Sequence, residues 1–290
     1  MLLQRVATAV IGVPAILLVV WAGGAWFSVV LGILLFIAAL EFYAAVSPPP
    51  TNATLVENPL AAISPVRLPR LLNQRPLGLM GGAFTALLVA AAHHDGDWWA
   101  GTLALAAVFP FVWLVLRGDS EGALPDWLRT VGGVLYVGWL GSHLVFLRHL
   151  DNGRDWVYLA VFATFANDTS AYFVGRAIGR TKLVPRISPG KTVEGSLGGI
   201  LFGALGLVLL NYALGLRLDV WPLIPLAVLV PVAAQLGDLA ESLIKRGAGV
   251  KDAGVLVPGH GGFLDRLDSV LFTVPVVYYY ARLVIEVGVG

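Results

Sequence analysis

Residues 235–268 read QLGDLAESLIKRGAGVKDAGVLVPGHGGFLDRLD and join two hydrophobic runs, 221–243 and 267–287. Each run is long enough to cross a bilayer. Ionisable groups this dense at the mouth of a membrane segment are costly unless they have partners, so they mark a functional site. The remaining chain reads as a lipid-embedded frame for this stretch.

Composition sets the class. The 290 residues are 58% hydrophobic and 13% charged, with a mean hydropathy of +0.81, whereas a soluble domain carries about 25% charged residues. The chain is therefore expected to be an all-α, polytopic integral membrane protein. A formal net charge of +1 says little about partners, and nothing points to nucleic acid. The absence of cysteine excludes disulfides and thiol nucleophiles and leaves any metal to oxygen or imidazole donors, which favours hard cations.

Runs 6–21, 26–46, 76–92, 100–116, 131–147, 156–178, 196–214, 221–243 and 267–287 predict about nine transmembrane helices. The first follows a single Arg5 and leads at once into the second, which favours an uncleaved span over a signal peptide. The proline-rich segment 47–75 reads as an exposed loop, and its sequon at Asn52 carries no weight. With the amino terminus inside, 15 of the 19 Lys and Arg residues face the cytoplasm, as the positive-inside rule favours. The chain is expected in the cell (plasma or inner) membrane, with its active site facing the cytoplasm.

No internal repeat is visible, and the polar density lies in the carboxy-terminal part. Residues 1–150 accordingly read as scaffold, helices one to five, and 151–290 as catalytic, helices six to nine with their polar loops, in one integrated membrane domain. Single polar residues of the scaffold, such as Glu41, His93 and His94, read as snorkelling or capping groups.

In the eighth span Gln235, Asp238, Glu241, Ser242 and Lys245 fall within an arc of about 120°. The ninth is expected to begin at Asp265, with Asp265 and Asp268 on one face, so that Asp238, Asp265 and Asp268 converge. Like charges in a poorly hydrated site repel unless a cation neutralises them. Oxygen ligands suit Mg²⁺, while an ion-pair network with Arg246, Lys251 and Arg266 is the alternative. The connecting loop, with Lys251, Asp252, His260, Gly261 and Gly262, has the physics of a phosphate cradle without a Walker sequence. Asp168 lies inside the sixth span, followed by a basic segment with Arg176, Ser188, Lys191, Thr192 and Glu194 that suits headgroup or nucleotide phosphate.

These residues resemble a known family. Ser242-Leu243-Ile244-Lys245-Arg246, then Lys251-Asp252, then residues 260–268 (HGGFLDRLD) are similar to the signature of phosphatidate cytidylyltransferase, or CDP-diacylglycerol synthase. Val257 departs from that pattern, one apolar residue replacing another. Residues 168–172, 175–176 and 188–195 resemble the family's second polar block. The amino-terminal half is similar only as a series of hydrophobic spans.

The resemblance implies Mg²⁺-dependent transfer of CMP from CTP to phosphatidate, giving CDP-diacylglycerol and pyrophosphate in phospholipid biosynthesis. It favours the metal reading, with Asp238, Asp265 and Asp268 as ligands and room for a second cation supported by Asp252 or Glu194. It makes Asp238, Asp265, Asp268, Lys251, Asp252 and His260 catalytic candidates. Asp168, Arg176, Ser188, Lys191, Thr192, Glu194, Ser242, Lys245, Arg246, Gly261, Gly262 and Arg266 become candidates for substrate binding. The bilayer and the two substrates are the expected partners, and a homo-oligomer is compatible with the sequence. A CDP-alcohol phosphotransferase lacks support, since its run of spaced aspartates is missing. The other rival is a proton- or cation-coupled transporter using the intramembrane aspartates, whose paired halves are not seen.

Overall fold

The computed structural model describes residues 12, 14–47, 77–94, 96–118, 120, 122–254 and 261–286. It is an all-α fold with one small hairpin. The helices are α1 (Gly24–Val46), α2 (Leu77–His93), α3 (Trp99–Arg117), α4 (Ala123–Gly133), α5 (Leu140–His149), α6 (Gly153–Ile178), α7 (Val193–Ala213), α8 (Val220–Gly247) and α9 (Asp268–Tyr280). A wide π turn, Val134–Trp139, links α4 to α5 without a break, and another, Ala281–Glu286, extends α9.

Six helical spans among the described residues are long and apolar enough to cross a membrane: α1, α3, Ala123–His149, α7, α8 and Asp268–Ile285. The polytopic class holds, and the described residues do not confirm the expected count of about nine. Helix α2, at 17 residues, is apolar but shorter. Helix α6 has 26 residues yet carries Arg154, Asp155, Asp168 and Arg176, which lower its apolar character. Of the first predicted run only part is described, and residues 14–22 are helical. The predicted loop at 48–75 lies outside the described residues.

The described residues pack as two compact units, 1–142 with 247–266, and 143–246 with 267–290. The segment after α8 thus packs with the amino-terminal helices. In the first unit Leu88, Ala106 and Val134 form a buried cluster with Phe84, Trp99, Leu103 and Trp139 against it. Tyr43 is buried and donates from Oη to the Thr130 carbonyl at 2.8 Å. Gly81 and Gly133 sit so close to its ring that a β-carbon at either would overlap it. Exposed Leu105, Val108, Val115 and Leu116 along α3 give that helix a surface suited to lipid.

In the second unit α6 and α7 lie along each other on small residues. A β-carbon at Gly195 would stand 2.8 Å from the Ala171 carbonyl, and one at Gly203 would stand 3.0 Å from Asn167 Cβ. Spacing of four puts Gly195, Gly199 and Gly203 on one stripe, where two membrane helices can close to backbone contact. That contact presents α6's polar residues to α7 and α8.

The segment between α6 and α7, expected as a basic loop, is an antiparallel hairpin, β1 (Lys182–Val184) with β2 (Ser188–Thr192). Lys182 faces Thr192 and Val184 faces Ser188 across an irregular register. The turn closes with Ile187 N–H donating to the Val184 carbonyl at 3.1 Å. Thr192 then caps α7, its Oγ1 accepting from Gly195 N–H at 3.1 Å.

Candidate active site

Helix α8 carries the expected polar face. Ser242 Oγ donates to Asp238 Oδ1 at 3.4 Å, and Lys245 pairs with the buried Glu241 one turn before it. Gly237 decides how near α9 can come. A β-carbon there would lie 2.5 Å from the Asp268 carbonyl and 3.0 Å from Ser269 Cα, so only glycine permits the contact. The next residue, Asp238, is thereby brought beside the start of α9.

Asp268 is the first residue of α9, and its Oδ1 accepts from Ser269 N–H at 2.7 Å. Asp168 lies close to Ser269, and its Oδ1 accepts from Asn167 Nδ2 at 2.9 Å. Asp168, Asp238 and Asp268 are near enough to repel one another. One turn away, Gln235 Nε2 donates to Asn167 Oδ1 at 3.1 Å and to the Ser196 carbonyl at 2.9 Å, and Ser196 Oγ bonds Gln235 Oε1. A chain of amides thus runs from α7 through α8 to the acid on α6.

Beside this cluster opens a cavity of about 390 Å³, walled by α6, the hairpin, the start of α7, and α8. Asp168, Arg176, Ser188, Lys191, Thr192 and Asp238 line it, all of them predicted from the sequence. Lys191 Nζ stands 2.7 Å from Asp238 Oδ2. The ion-pair partner of Asp238 is therefore a strand residue, not one of the cations expected from the following loop. Arg246 instead donates from Nε to the Ile187 carbonyl at 3.2 Å and pins the hairpin turn to α8. Arg176 Nη1 donates to Tyr172 Oη at 2.9 Å, which aligns the guanidinium along the cavity wall. Glu194 has a local partner: its carboxylate accepts from the N–H groups of Arg180 and Thr181 at 3.0 and 3.1 Å, tying the hairpin base to α7.

The other predicted acids lie in the first unit. Asp265 is in a 3₁₀ turn, Leu264–Arg266, and α9 begins only at Asp268. The expected helical face shared by residues 265 and 268 is therefore not formed. The reason is local: Asp265 Oδ2 accepts from Gly262 N–H at 2.7 Å, and its two oxygens accept from Ala253 N–H at 3.3 Å each. Gly261, at φ 86°, makes the turn that allows this. Lys251, Asp252 and Arg266 are exposed around the turn, and His260 lies outside the described residues. Glu41, expected to snorkel or cap, does not snorkel: it is buried and accepts from Leu264 N–H, at the start of the 3₁₀ turn, at 2.8 Å.

The chemistry of the cavity is that of anion binding beside an excess of carboxylate. Among the described residues no three of Asp, Glu and His are gathered as ready metal ligands. The donor set at Asp168, Asp238 and Asp268 is oxygen alone, which fits a hard cation that takes few carboxylates and completes its shell with phosphate and water.

A family model described as "Cytidylyltransferase family" matches residues 3–284. The chain belongs to the cytidylyltransferase family. A protein of Synechocystis sp. named phosphatidate cytidylyltransferase is 33% identical over 298 residues, 98% of each chain. One of that name from Staphylococcus haemolyticus is 32% identical over 72% of this chain and 83% of its own. Another, from Bacillus subtilis, is 39% identical over 51% of this chain and 56% of its own. The resemblance read from the polar blocks is thus confirmed across the chain, and the protein is a nucleotidyltransferase enzyme. Family membership favours the transferase reading over the transporter one.

Within this cytidylyltransferase the sequence sets Asn167 beside Asp168 and Gly237 beside Asp238 among its polar runs but assigns no role to either, nor to Ser196. Asn167 and Ser196, which with Gln235 hold Asp168, are common polar residues on separate helices and carry no spacing signal. Gly237 sits beside an acid on an apolar helix, the one hint that a close contact was needed there.

Proposed function

We propose that the protein is a phosphatidate cytidylyltransferase, transferring CMP from CTP to phosphatidate to give CDP-diacylglycerol and pyrophosphate at the cytoplasmic face of the cell membrane. The observation that carries this reading is the cavity of the second unit, where Lys191, Arg176 and Ser188 meet Asp168 and Asp238 in a membrane-embedded helix packing. The names of the relatives support the same substrates, and the apolar helices suit a substrate with two acyl chains.

In this reading a phosphate oxygen of phosphatidate attacks the α-phosphorus of CTP as the bond to the β-phosphate breaks. The attacking group is already an anion, so positioning and charge neutralisation do most of the work and no covalent nucleophile is required. Lys191 and Arg176 bind phosphate oxygens, and Ser188 donates to them from the strand. Asp238 holds Lys191 in place until substrate phosphate competes for it. Asn167, Gln235 and Ser196 fix the direction of Asp168. Lys251 and Arg266 lie in the first unit around the glycine-containing turn set by Asp265, and the family resemblance alone makes them candidates for substrate phosphate.

Asp238 and Asp268 are the residues proposed to hold Mg²⁺, with Asp168 as the neighbouring acid. Bound there, the ion would supply charge stabilisation for the phosphates as pyrophosphate departs. Asp265 was expected as a third ligand, and its spacing in the sequence keeps it a candidate beside its role in the turn.

The test is direct. Purified protein in mixed micelles with phosphatidate and CTP labelled at the α-phosphate should yield a chloroform-soluble product with the mass of CDP-diacylglycerol, dependent on both substrates and abolished by chelator. Folded protein that yields no labelled lipid under these conditions overturns the proposal.

A further inference from the structure

Glu41 stands apart from the acids of the second unit, and the sequence gives it no role. It lies near the end of α1, a helix otherwise apolar, and is 3% exposed. A carboxylate in such a place needs strong compensation. Part of that compensation is a hydrogen bond from Leu264 N–H at 2.8 Å, reaching across 223 residues of sequence. Leu264 opens the 3₁₀ turn that contains Asp265.

Two glycines flank the same carboxylate. A β-carbon at Gly254 would overlap Glu41, and one at Gly262 would lie 2.8 Å from Glu41 Oε2 and 2.7 Å from Gly254 N. The neighbours of those glycines are held by the other acid: Asp265 accepts from Ala253 N–H and from Gly262 N–H. Glu41 and Asp265 therefore both hold the described segments 253–254 and 261–265. Both glycines are absent-side-chain positions, so the fit of the loop onto Glu41 is written into the sequence at three places.

We propose that Glu41 is a positioning residue for the reaction, a buried scaffold on which the loop carrying Lys251, Asp252, Asp265 and Arg266 takes its shape. This inference rests on the cytidylyl-transfer reading for its effect on activity, but not for its effect on the loop. Glu41 touches no substrate; it acts through the Leu264 amide and through the room left by Gly254 and Gly262. Loss of its carboxylate frees the Leu264 N–H and loosens the turn that orients Asp265.

Three variants in the full-length, detergent-purified protein test this. Glu41→Ala should speed hydrogen exchange at the amides of Ala253, Gly262 and Leu264 while exchange in α2 keeps its rate, and should lower kcat about 10- to 100-fold, the range for groups that orient a site from behind. Glu41→Gln keeps a carbonyl oxygen for Leu264 N–H and should restore most of both. Gly254→Ala should damage activity in the natural background and much less in combination with Glu41→Ala, because the overlapping carboxylate is gone. Unchanged exchange in both Glu41 variants, or equal damage from Gly254→Ala in both backgrounds, would overturn the inference. If Glu41→Ala does not fold, Gly254→Ala decides it: faster exchange at Ala253, Gly262 and Leu264 is expected, and unchanged exchange there overturns the inference. If the natural protein proves unable to transfer CMP to phosphatidate, the exchange results still stand and only the functional reading falls.

Discussion

The acids of the two units are held in different ways. In the first unit Glu41 and Asp265 take hydrogen bonds from backbone N–H groups, three of them on one loop. In the second, Asp168 and Asp238 face side chains and a cavity and stand against Asp268, which takes one backbone N–H, that of Ser269. Carboxylates met by a fixed backbone give shape. Carboxylates that repel one another beside an open cavity, with a lysine on one of them, keep coordination capacity for ions and phosphates. On the proposed reading, the contrast separates acids that build a site from acids that act in it.

The comparison can be broken most sharply at Asp238. Asp238→Asn should lower kcat by about 10²- to 10³-fold, the scale for loss of one electrostatic group at a reacting phosphate or carbonyl, measured as labelled lipid formed per unit of folded protein. A loss of only a few fold would move the acting role away from the second unit. Gly237→Ala leaves every acid in place but forces α8 from α9 at Asp268, and a displacement near 1 Å costs about 10²-fold. That variant should also lower stability by about 1–3 kcal/mol, as overpacking does, and thermal unfolding in detergent reads it. Asn167→Ala, which removes one bond to Asp168 and one from Gln235, should cost about 10-fold in kcat. The smallest effect is expected at Thr192→Ala, where loss of the cap on α7 should cost about 1 kcal/mol of stability and leave activity within a few fold.

Much of this was legible in the sequence, for physical reasons. Spans announce themselves because every exposed backbone group in lipid must be bonded within its own helix, and the polar arc of α8 follows from helical spacing alone. The family signature in residues 242–268 is local and dense. The hairpin was not legible, because Pro185, Pro189 and Gly190 read as loop and its strands are only 3 and 5 residues long. Lys191 was legible as a candidate for phosphate, but its pairing with Asp238 joins strand to helix and has no spacing to betray it. The partner of Glu41 was hidden for the same reason: a lone acid on an apolar helix reads as snorkelling or capping, and which N–H it meets, 223 residues on, shows only in the fold. The start of α9 was placed three residues early because Asp265 spends its carboxylate on the loop before it and holds the chain in a 3₁₀ turn.

The measurement that tests the distinction most directly is Mn²⁺ binding, followed by electron paramagnetic resonance with purified protein and CTP. Mn²⁺ serves as a spectroscopic stand-in for Mg²⁺ and needs no turnover. Binding should weaken at least about 10-fold in Asp238→Asn and in Asp268→Asn, and should keep its strength in Glu41→Gln. Unchanged Mn²⁺ affinity in both aspartate variants, each folded and monodisperse, would contradict the account.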